Sequence, residues 1–331
     1  MRKTMIEALL AALLLLLANL AVAQTPSTPK ALIWSDPGDI SSKNLLYGSG
    51  GEGDQPQPPV IFDKEDTKGS NPKFDVHDRN GTKWKVKLGA EAKPETVATR
   101  LLWAVGYFTE EDYFEPELRI DGLPKTLQRG QNLIKAGQAP NARLKHRPKH
   151  AEKEDEWHWR KNPFSGTREL NGLRVMMSLI NNWDLKDDNN AIFEDKQSGQ
   201  QSYLVTDLGA SFGSIGYRLG PGRGKGDLGA YRNSKFVTHV HSNYVDFSAP
   251  AHSTVFSILG IFSIPDFVSR MRLRWIGRHI PREDAKWIGG LLSRLKPAQI
   301  EDAFRSAGYS DKDVREYSAV VEKRIGELGK L

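Results

Sequence analysis

Cysteine is absent from the 331 residues, and beyond the first 23 residues no hydrophobic run is long enough to span a bilayer. The first absence excludes disulfides and lipid attachment through a cysteine. The fold must therefore rest on a hydrophobic core, which a chain of this length is able to bury. The second absence predicts that no transmembrane segment remains once the N-terminus has been processed.

An excess of charge of one sign is also lacking, because 47 basic and 41 acidic residues leave a formal net charge of only +6. The densest charged segment, residues 149–161, mixes both signs and carries two tryptophans. Nucleic-acid binding requires a basic patch with interleaved aromatic residues, and here Glu152, Glu154 and Glu156 compensate the bases. We therefore expect no nucleic-acid partner.

The N-terminus has the pattern of a secretory signal peptide over residues 1–23. Arg2 and Lys3 precede an apolar stretch, residues 8–20, and Ala21-Val22-Ala23 forms a small-residue cleavage site. The alternative is an uncleaved membrane anchor, but the apolar stretch is short for a span. Export without cysteine is typical of a bacterial periplasm, which is the predicted location.

The main chemical signal is a pair of motifs in the middle of the chain. Asp184-Leu185-Lys186 is followed by Asn189, and Asp207-Leu208-Gly209 begins 18 residues after Asn189. Phosphoryl transfer requires one carboxylate to orient a hydroxyl, and an Asn with a second Asp to hold Mg²⁺ on the phosphates. A five-residue step lets one loop present Asp184 and Asn189 to one cleft. The alternative is a solvated turn at residues 187–190 and a strand-end cap at Asp207.

The surroundings of these motifs favour the chemical interpretation. An apolar pattern with helical spacing leads into the loop, at Leu170, Leu173, Met176, Met177 and Ile180. Two short apolar runs, residues 191–193 and 203–205, then predict a hairpin that ends just before Asp207. Helix, loop, hairpin and Asp follow one another as in the C-terminal lobe of a kinase.

A second set of candidates lies upstream. Asn80-Gly81 predicts a hairpin, and its second strand, residues 83–88, places Lys85 and Lys87 on one face. Pro94 then predicts a helix start, with Glu95 in the first turn. A strand lysine paired with a glutamate of the next helix positions nucleotide phosphates. We predict that Lys87 pairs with Glu95, and Lys85 is the second candidate for the lysine. The alternative to a phosphate site is that the lysines form an ordinary exposed face of the strand.

These motifs resemble the atypical branch of the protein-kinase-like superfamily, which includes phosphatidylinositol kinases, bacterial toxin-type kinases and secretory-pathway kinases. Several of those families have an E-x-x-A-x-x-L helix ending in a Gly-aromatic step. Residues 95–101 followed by Gly106-Tyr107 are similar. The resemblance covers roughly residues 70–215 and is an analogy at the level of the fold.

The resemblance implies an α+β, two-lobed fold with a sheet-rich N-lobe and a mainly helical C-lobe. It also implies ATP and Mg²⁺ or Mn²⁺ as cofactors. The implied roles are phosphate binding by Lys87 or Lys85 with Glu95 as partner, metal binding by Asn189 and Asp207, proton acceptance by Asp184, and contact with the transferred group by Lys186.

The chain departs from the superfamily pattern in four places. Asn182-Trp183 replaces the usual His-Arg, D-L-G replaces D-F-G, and no A-P-E follows. The glycine-rich segment 48–53 lies about 35 residues before Lys87, which is too far for the ordinary two-strand loop, so it could cover phosphates only in a rearranged N-lobe. We interpret it as a flexible linker.

The predicted organisation is a signal peptide (1–23), an irregular arm (24–59), an N-lobe (60–155) and a C-lobe (156–331). The predicted function is Mg²⁺-dependent transfer of a phosphoryl group from ATP to a hydroxyl acceptor in the cell envelope. The acceptor is left open among a protein, a small molecule and a lipid headgroup. One alternative is a catalytically silent kinase-like scaffold that binds an envelope partner. Another is a globular envelope protein whose motifs are coincidental.

Overall fold

The computed structural model describes residues 30–67, 71–146, 151–213, 224–248 and 273–331. The predicted signal peptide of residues 1–23 lies outside these ranges. Within them, no helix is both long and apolar enough to cross a membrane.

The predicted arm is irregular, as expected from its composition, but it is packed. From residue 30 onward it contains a two-residue strand, β1 (Ala31–Leu32), and two short 3-10 turns. Ile40 and Leu45 are completely buried. The side-chain amide of Gln299 donates hydrogen bonds to the carbonyl oxygens of Ile40 at 2.9 Å and Lys43 at 2.7 Å. The arm is therefore part of the folded core.

The glycine-rich segment also differs from the flexible linker that the sequence predicts. Gly48 has a φ of +75°, and a Cβ there would lie 2.4 Å from the Arg100 guanidinium. The Tyr113 hydroxyl donates a hydrogen bond of 2.9 Å to the carbonyl oxygen of Gly51. Glycine is needed in this segment because the backbone passes directly over buried side chains.

The next part of the chain forms a closed five-stranded barrel in the order β2-β3-β4-β6-β5. Its strands are β2 (Val60–Asp66), β3 (Lys73–His77), β4 (Lys83–Leu88), β5 (Asp112–Asp121) and β6 (Gln138–His146). The β3–β4 hairpin is the one predicted around Asn80-Gly81. Parallel pairing of β2 with β5 closes the barrel. Alternation along β4 sends Trp84, Val86 and Leu88 inside and leaves the lysines outside.

Helix α1 (Ala92–Ala104) connects β4 to β5 and packs against β5 and β6. It begins two residues earlier than predicted, so Pro94 is the third helical residue. Proline is tolerated there because the first amides of a helix have no intrahelical partner. Glu95 is in the first turn, as predicted.

A four-stranded sheet of order β1-β9-β8-β7 follows the barrel. It contains β7 (Ala151–Asp155), β8 (Asn190–Asp195) and β9 (Gln201–Val205), and β8 and β9 form the predicted hairpin. Helix α2 (Arg168–Leu179) occupies the predicted helical segment. The Thr167 hydroxyl caps it by accepting a hydrogen bond from the amide of Leu170.

The remaining elements are mainly helical. They are α3 (Leu228–Asn233), β10 (Val237–Val240), β11 (Tyr244–Phe247), β12 (Ile280–Pro281), α4 (Arg282–Leu292), α5 (Pro297–Arg305) and α6 (Asp311–Leu328). The Ser310 hydroxyl caps α6 by accepting a hydrogen bond from the amide of Asp313. The fold is mixed α+β, which confirms the predicted class.

Two clusters of buried apolar side chains form the core. The smaller cluster fills the barrel, and the larger one extends from the arm through α1 and α2 to α6. Val97 and Leu101 of α1 belong to the larger cluster, so this helix joins the barrel wall to the helical part. The predicted domain boundaries stay predictions.

Leu45 and Leu46 offer a matched test of the packed arm, because Leu45 is fully buried and Leu46 is 37% exposed. We expect Leu45→Ala to lower the free energy of unfolding by about 2–5 kcal/mol, since the side chain leaves a cavity. Leu46→Ala should change it by less than about 0.5 kcal/mol. Urea denaturation followed by circular dichroism measures both. Equal, small losses would show that the arm does not belong to the core.

Candidate active site

Lys87 is the centre of a buried ionic cluster. Strand alternation points its side chain out of the barrel and toward α1, where it is only 2% exposed. Its Nζ lies 3.0 Å from Glu95 Oε2, 3.1 Å from Asp207 Oδ1 and 2.5 Å from Glu91 Oε2. A strand, a helix and the segment after β9 thus each bring a charge to one point.

The three carboxylates determine the charge of the lysine. Burial acts to lower the pKa of Lys87, but Glu95, Asp207 and Glu91 outweigh it and raise that pKa above its usual value. The ammonium group is therefore retained although it is buried.

Glu95 is shared between two cations. Its other carboxylate oxygen lies 3.2 Å from a guanidinium nitrogen of Arg143, which occupies the position on β6 opposite Lys87. Burial raises the pKa of Glu95 to about 7, although Arg143 and Lys87 act to lower it. Arg143 also faces Asp112, which pairs with Arg100 at 3.1 Å. Buried charges of alternating sign thus extend from the site to Arg100 of α1.

Asp207 is the most accessible carboxylate of the cluster, with 35% of its side chain exposed. Burial opposes its ionisation, but Lys87 and then Arg143 hold the pKa of Asp207 at about 2. The amide of Gly209 donates a hydrogen bond of 3.3 Å to the same carboxylate. Asp207 is therefore an anion at any physiological pH.

Asp184, Lys186 and Asn189 share one loop. The amide nitrogen of the Asn189 side chain donates a hydrogen bond of 2.6 Å to the carbonyl oxygen of Asp184, and Lys186 Nζ lies 3.4 Å from Asp184 Oδ1. Asp184 Oδ1 is buried and accepts no hydrogen bond from the described residues. The Asp184 side chain as a whole is 27% exposed, so a bound group can contact its carboxylate.

Backbone hydrogen bonds attach this loop to the segment that carries Asp207. The amide of Thr206, which precedes Asp207, donates to the carbonyl oxygen of Asn189 at 2.8 Å. The amide of Trp183 donates to the carbonyl oxygen of Ala210 at 3.2 Å. The two predicted motifs therefore lie side by side, as their order in the sequence indicates.

Lys85 is not part of the cluster. It lies on the same face of β4 as Lys87, but it pairs with Asp66 and, at 3.3 Å, with Asp75. Of the two candidate lysines, Lys87 is the one that contacts Glu95 and Asp207. Lys87, Glu95 and Asp207 thus meet at one point, and the roles assigned to them stay predictions.

The donor set fits a divalent cation that prefers oxygen ligands. Oxygens of Glu91, Glu95 and Asp207 lie within 4.8 Å of one another. Glu95 is committed to two cations of the protein, whereas Asp207 is partly exposed. The Asn189 amide nitrogen is bound to a carbonyl, which leaves its oxygen for a ligand. Asp207 and Asn189 would hold Mg²⁺ or Mn²⁺, whose ligands are carboxylate and amide oxygens.

Sequence reasoning missed two members of the cluster, Glu91 and Arg143. Glu91 had a usable signal, since it lies four residues after Lys87 and four before Glu95, a spacing that brings side chains together at a helix start. Arg143 had none, because its position opposite Lys87 depends on the strand register of the barrel.

The chain matches no family model, and no curated protein is significantly similar to it. Among solved structures, it is similar to the crystal structure of a Helicobacter pylori proinflammatory kinase, CtkA. The TM-score is 0.45 at 10% identity, and the match covers 82% of this chain and 97% of the other. Because the TM-score and the identity are this low, the function of the chain is inferred from its own contacts alone.

Glu95 makes the stability of the protein depend on pH. Because its pKa rises from 4.5 in the unfolded chain to about 7 in the fold, the folded state binds more protons between these values. We expect the free energy of unfolding to fall as the pH rises through this interval, and to fall less in Glu95→Gln. Urea denaturation at several pH values tests this, with exposed Glu117→Gln as the control. Identical slopes for wild type and Glu95→Gln would contradict the assignment.

Proposed function

We propose that this chain adopts a two-lobed, protein-kinase-like arrangement and transfers a phosphoryl group from Mg²⁺-ATP to a hydroxyl-bearing acceptor. The barrel with α1 corresponds to the N-lobe, and the sheet of β7 to β9 with the helices corresponds to the C-lobe. The observation that carries the proposal is the contact of Lys87 with both Glu95 and Asp207.

That contact is informative because three separate elements of the fold bring its members together. Lys87 comes from a barrel strand, Glu95 from the following helix, and Asp207 from the end of a hairpin 120 residues later. A purely structural ion pair does not need a partly exposed third charge. A phosphate site does, since a lysine must bind phosphate oxygens beside a carboxylate that holds the metal.

The residues around this contact have separate roles in binding the nucleotide. Lys87, oriented by Glu95, binds the oxygens of the α and β phosphates. Asp207 and Asn189 would hold Mg²⁺, and the metal would neutralise charge on the phosphates. Arg143 fixes Glu95 from the side opposite to Lys87 and so keeps the lysine in place.

Two residues of the loop act on the acceptor side. The carboxylate of Asp184, whose side chain is 27% exposed, orients the acceptor hydroxyl and accepts its proton. Lys186, 41% exposed and 3.4 Å from Asp184, contacts the transferred phosphoryl group. The bond from the γ phosphorus to the bridging oxygen breaks as the bond to the acceptor oxygen forms, and ADP leaves.

The proposed location is outside the cytoplasm of a bacterium, on the basis of the signal-peptide pattern in residues 1–23. The acceptor is a protein, a small molecule or a lipid headgroup with a free hydroxyl. A catalytically silent scaffold is the second candidate. It is favoured by Asn182-Trp183 in place of His-Arg and by Glu91, which already occupies Lys87.

The first test is calorimetric titration of Mg²⁺-ATP into the full chain. We expect binding in the wild type and a loss of at least about tenfold in affinity in Asp207→Ala, because the metal loses a charged ligand. Asp188→Ala, which removes an exposed aspartate of the Asp184 loop, is the matched control and should bind normally. Binding without phosphoryl transfer would favour the scaffold, and no binding to the wild type would reject the nucleotide site.

The two strand lysines provide a second, sharper comparison. Lys87→Met should reduce the affinity for Mg²⁺-ATP by about tenfold or more, since a buried charge-assisted contact to phosphate is lost. Lys85→Met, on the same face of the same strand, should leave the affinity unchanged. Circular dichroism establishes that both variants are folded before titration. Equal effects of the two substitutions would contradict the assignment of Lys87 as the phosphate lysine.

A further inference from the structure

Glu91 connects four separate parts of the site. Its Oε2 lies 2.5 Å from Lys87 Nζ and 2.6 Å from the side-chain amide nitrogen of Asn71, and its Oε1 pairs with Lys225. A Cβ added at Gly209 would lie 2.6 Å from the Glu91 Cβ, so Glu91 also packs directly on the D-L-G backbone. The side chain is 7% exposed. One carboxylate is thus held by two ammonium groups and one amide.

This set of donors matches the needs of a phosphate group. Phosphate oxygens accept hydrogen bonds from lysine ammonium and amide groups, and charge-assisted contacts of this kind are the strong ones. Burial opposes ionisation, but Lys87 and Lys225 lower the pKa of Glu91, so the group is an anion. Glu91 therefore presents to these donors the same charge and the same kind of oxygen as a ligand phosphate.

Lys225 reaches the site from the segment that follows the D-L-G motif. The amide of Gly226 donates to the carbonyl oxygen of Ser211 at 3.0 Å, which fixes this segment beside the motif. Lys225 Nζ lies 5.9 Å from the centre of the Trp183 ring, and Trp183 precedes Asp184. Lys225 thus stands between the Lys87 cluster and the loop that carries Asp184.

Displacement of Glu91 leaves the two lysines in different situations. Lys87 keeps Glu95 and Asp207 as partners. Among the residues that the structure describes, Lys225 pairs with no carboxylate other than Glu91. A phosphate entering the site would therefore be bound by a lysine that has lost its counter-charge.

We propose that Lys225 is a second phosphate-binding residue of this site, and that Glu91 holds the position which a phosphate of the bound ligand takes. The ligand class is a phosphate chain, either of a nucleoside triphosphate or of an inorganic polyphosphate. The inference rests on the proposed function in the first case and is independent of it in the second.

The test is calorimetric titration of Mg²⁺-ATP and of inorganic tripolyphosphate into the full chain and three variants. Glu91→Gln keeps the shape but removes the competing charge, and we expect it to bind both ligands about tenfold more tightly. Lys225→Met should bind both about tenfold more weakly, and Lys225→Arg should restore most of the affinity. A gain of affinity in Glu91→Gln is an effect that a merely structural role would not produce.

Each outcome decides between the two proposals. If Mg²⁺-ATP binds in an Asp207-dependent way but is insensitive to Glu91→Gln and Lys225→Met, the present inference is overturned and the proposed function stands. If only tripolyphosphate binds, in the expected order of variants, the phosphate subsite stands and the nucleotide function falls. If neither the wild type nor Glu91→Gln binds either ligand, both proposals are rejected.

Discussion

The burial of one ammonium group, that of Lys87, is the constraint on which the rest of this structure depends. Removing an unpaired cation from water costs several kcal/mol, so the fold must supply counter-charges at that point. Glu95 comes from the helix, Asp207 from the end of a hairpin, and Glu91 from the turn between strand and helix. The barrel and the helical part are thereby held in one relative position. The same contacts therefore determine both the geometry of the site and the position of the barrel relative to the helical part.

Buried charges are paired with opposite charges beyond the site as well. Glu95 requires Arg143, Arg143 faces Asp112, and Asp112 pairs with Arg100, over which the glycine-rich segment of the arm passes. Each charge in this series is buried and is satisfied only if the next one is in place. The strand register of the barrel is therefore as important to the position of Lys87 as the residues that touch it.

Local signals in the sequence predicted the local structure well. The Asn80-Gly81 hairpin, the β8–β9 hairpin and helix α2 all depend on neighbouring residues, and all are present. Glu95 and Asp207 were found because their spacing from other motifs is informative. Barrel closure by β2 and β5, and the position of Arg143, depend on pairing between distant strands. No short pattern encodes such pairing, and the packed arm was missed for the same reason.

The contacts of the arm also determine when, during synthesis of the chain, the fold can be completed. Gln299 binds the carbonyl oxygens of Ile40 and Lys43, and β1 pairs with β9, whose first residue is Gln201. The first residues of the described chain therefore contact residues that are synthesised much later. Domains can fold while synthesis proceeds, but these contacts cannot form until Gln201 and Gln299 have been synthesised. Until then Ile40 and Leu45 lack part of the core that covers them in the folded chain.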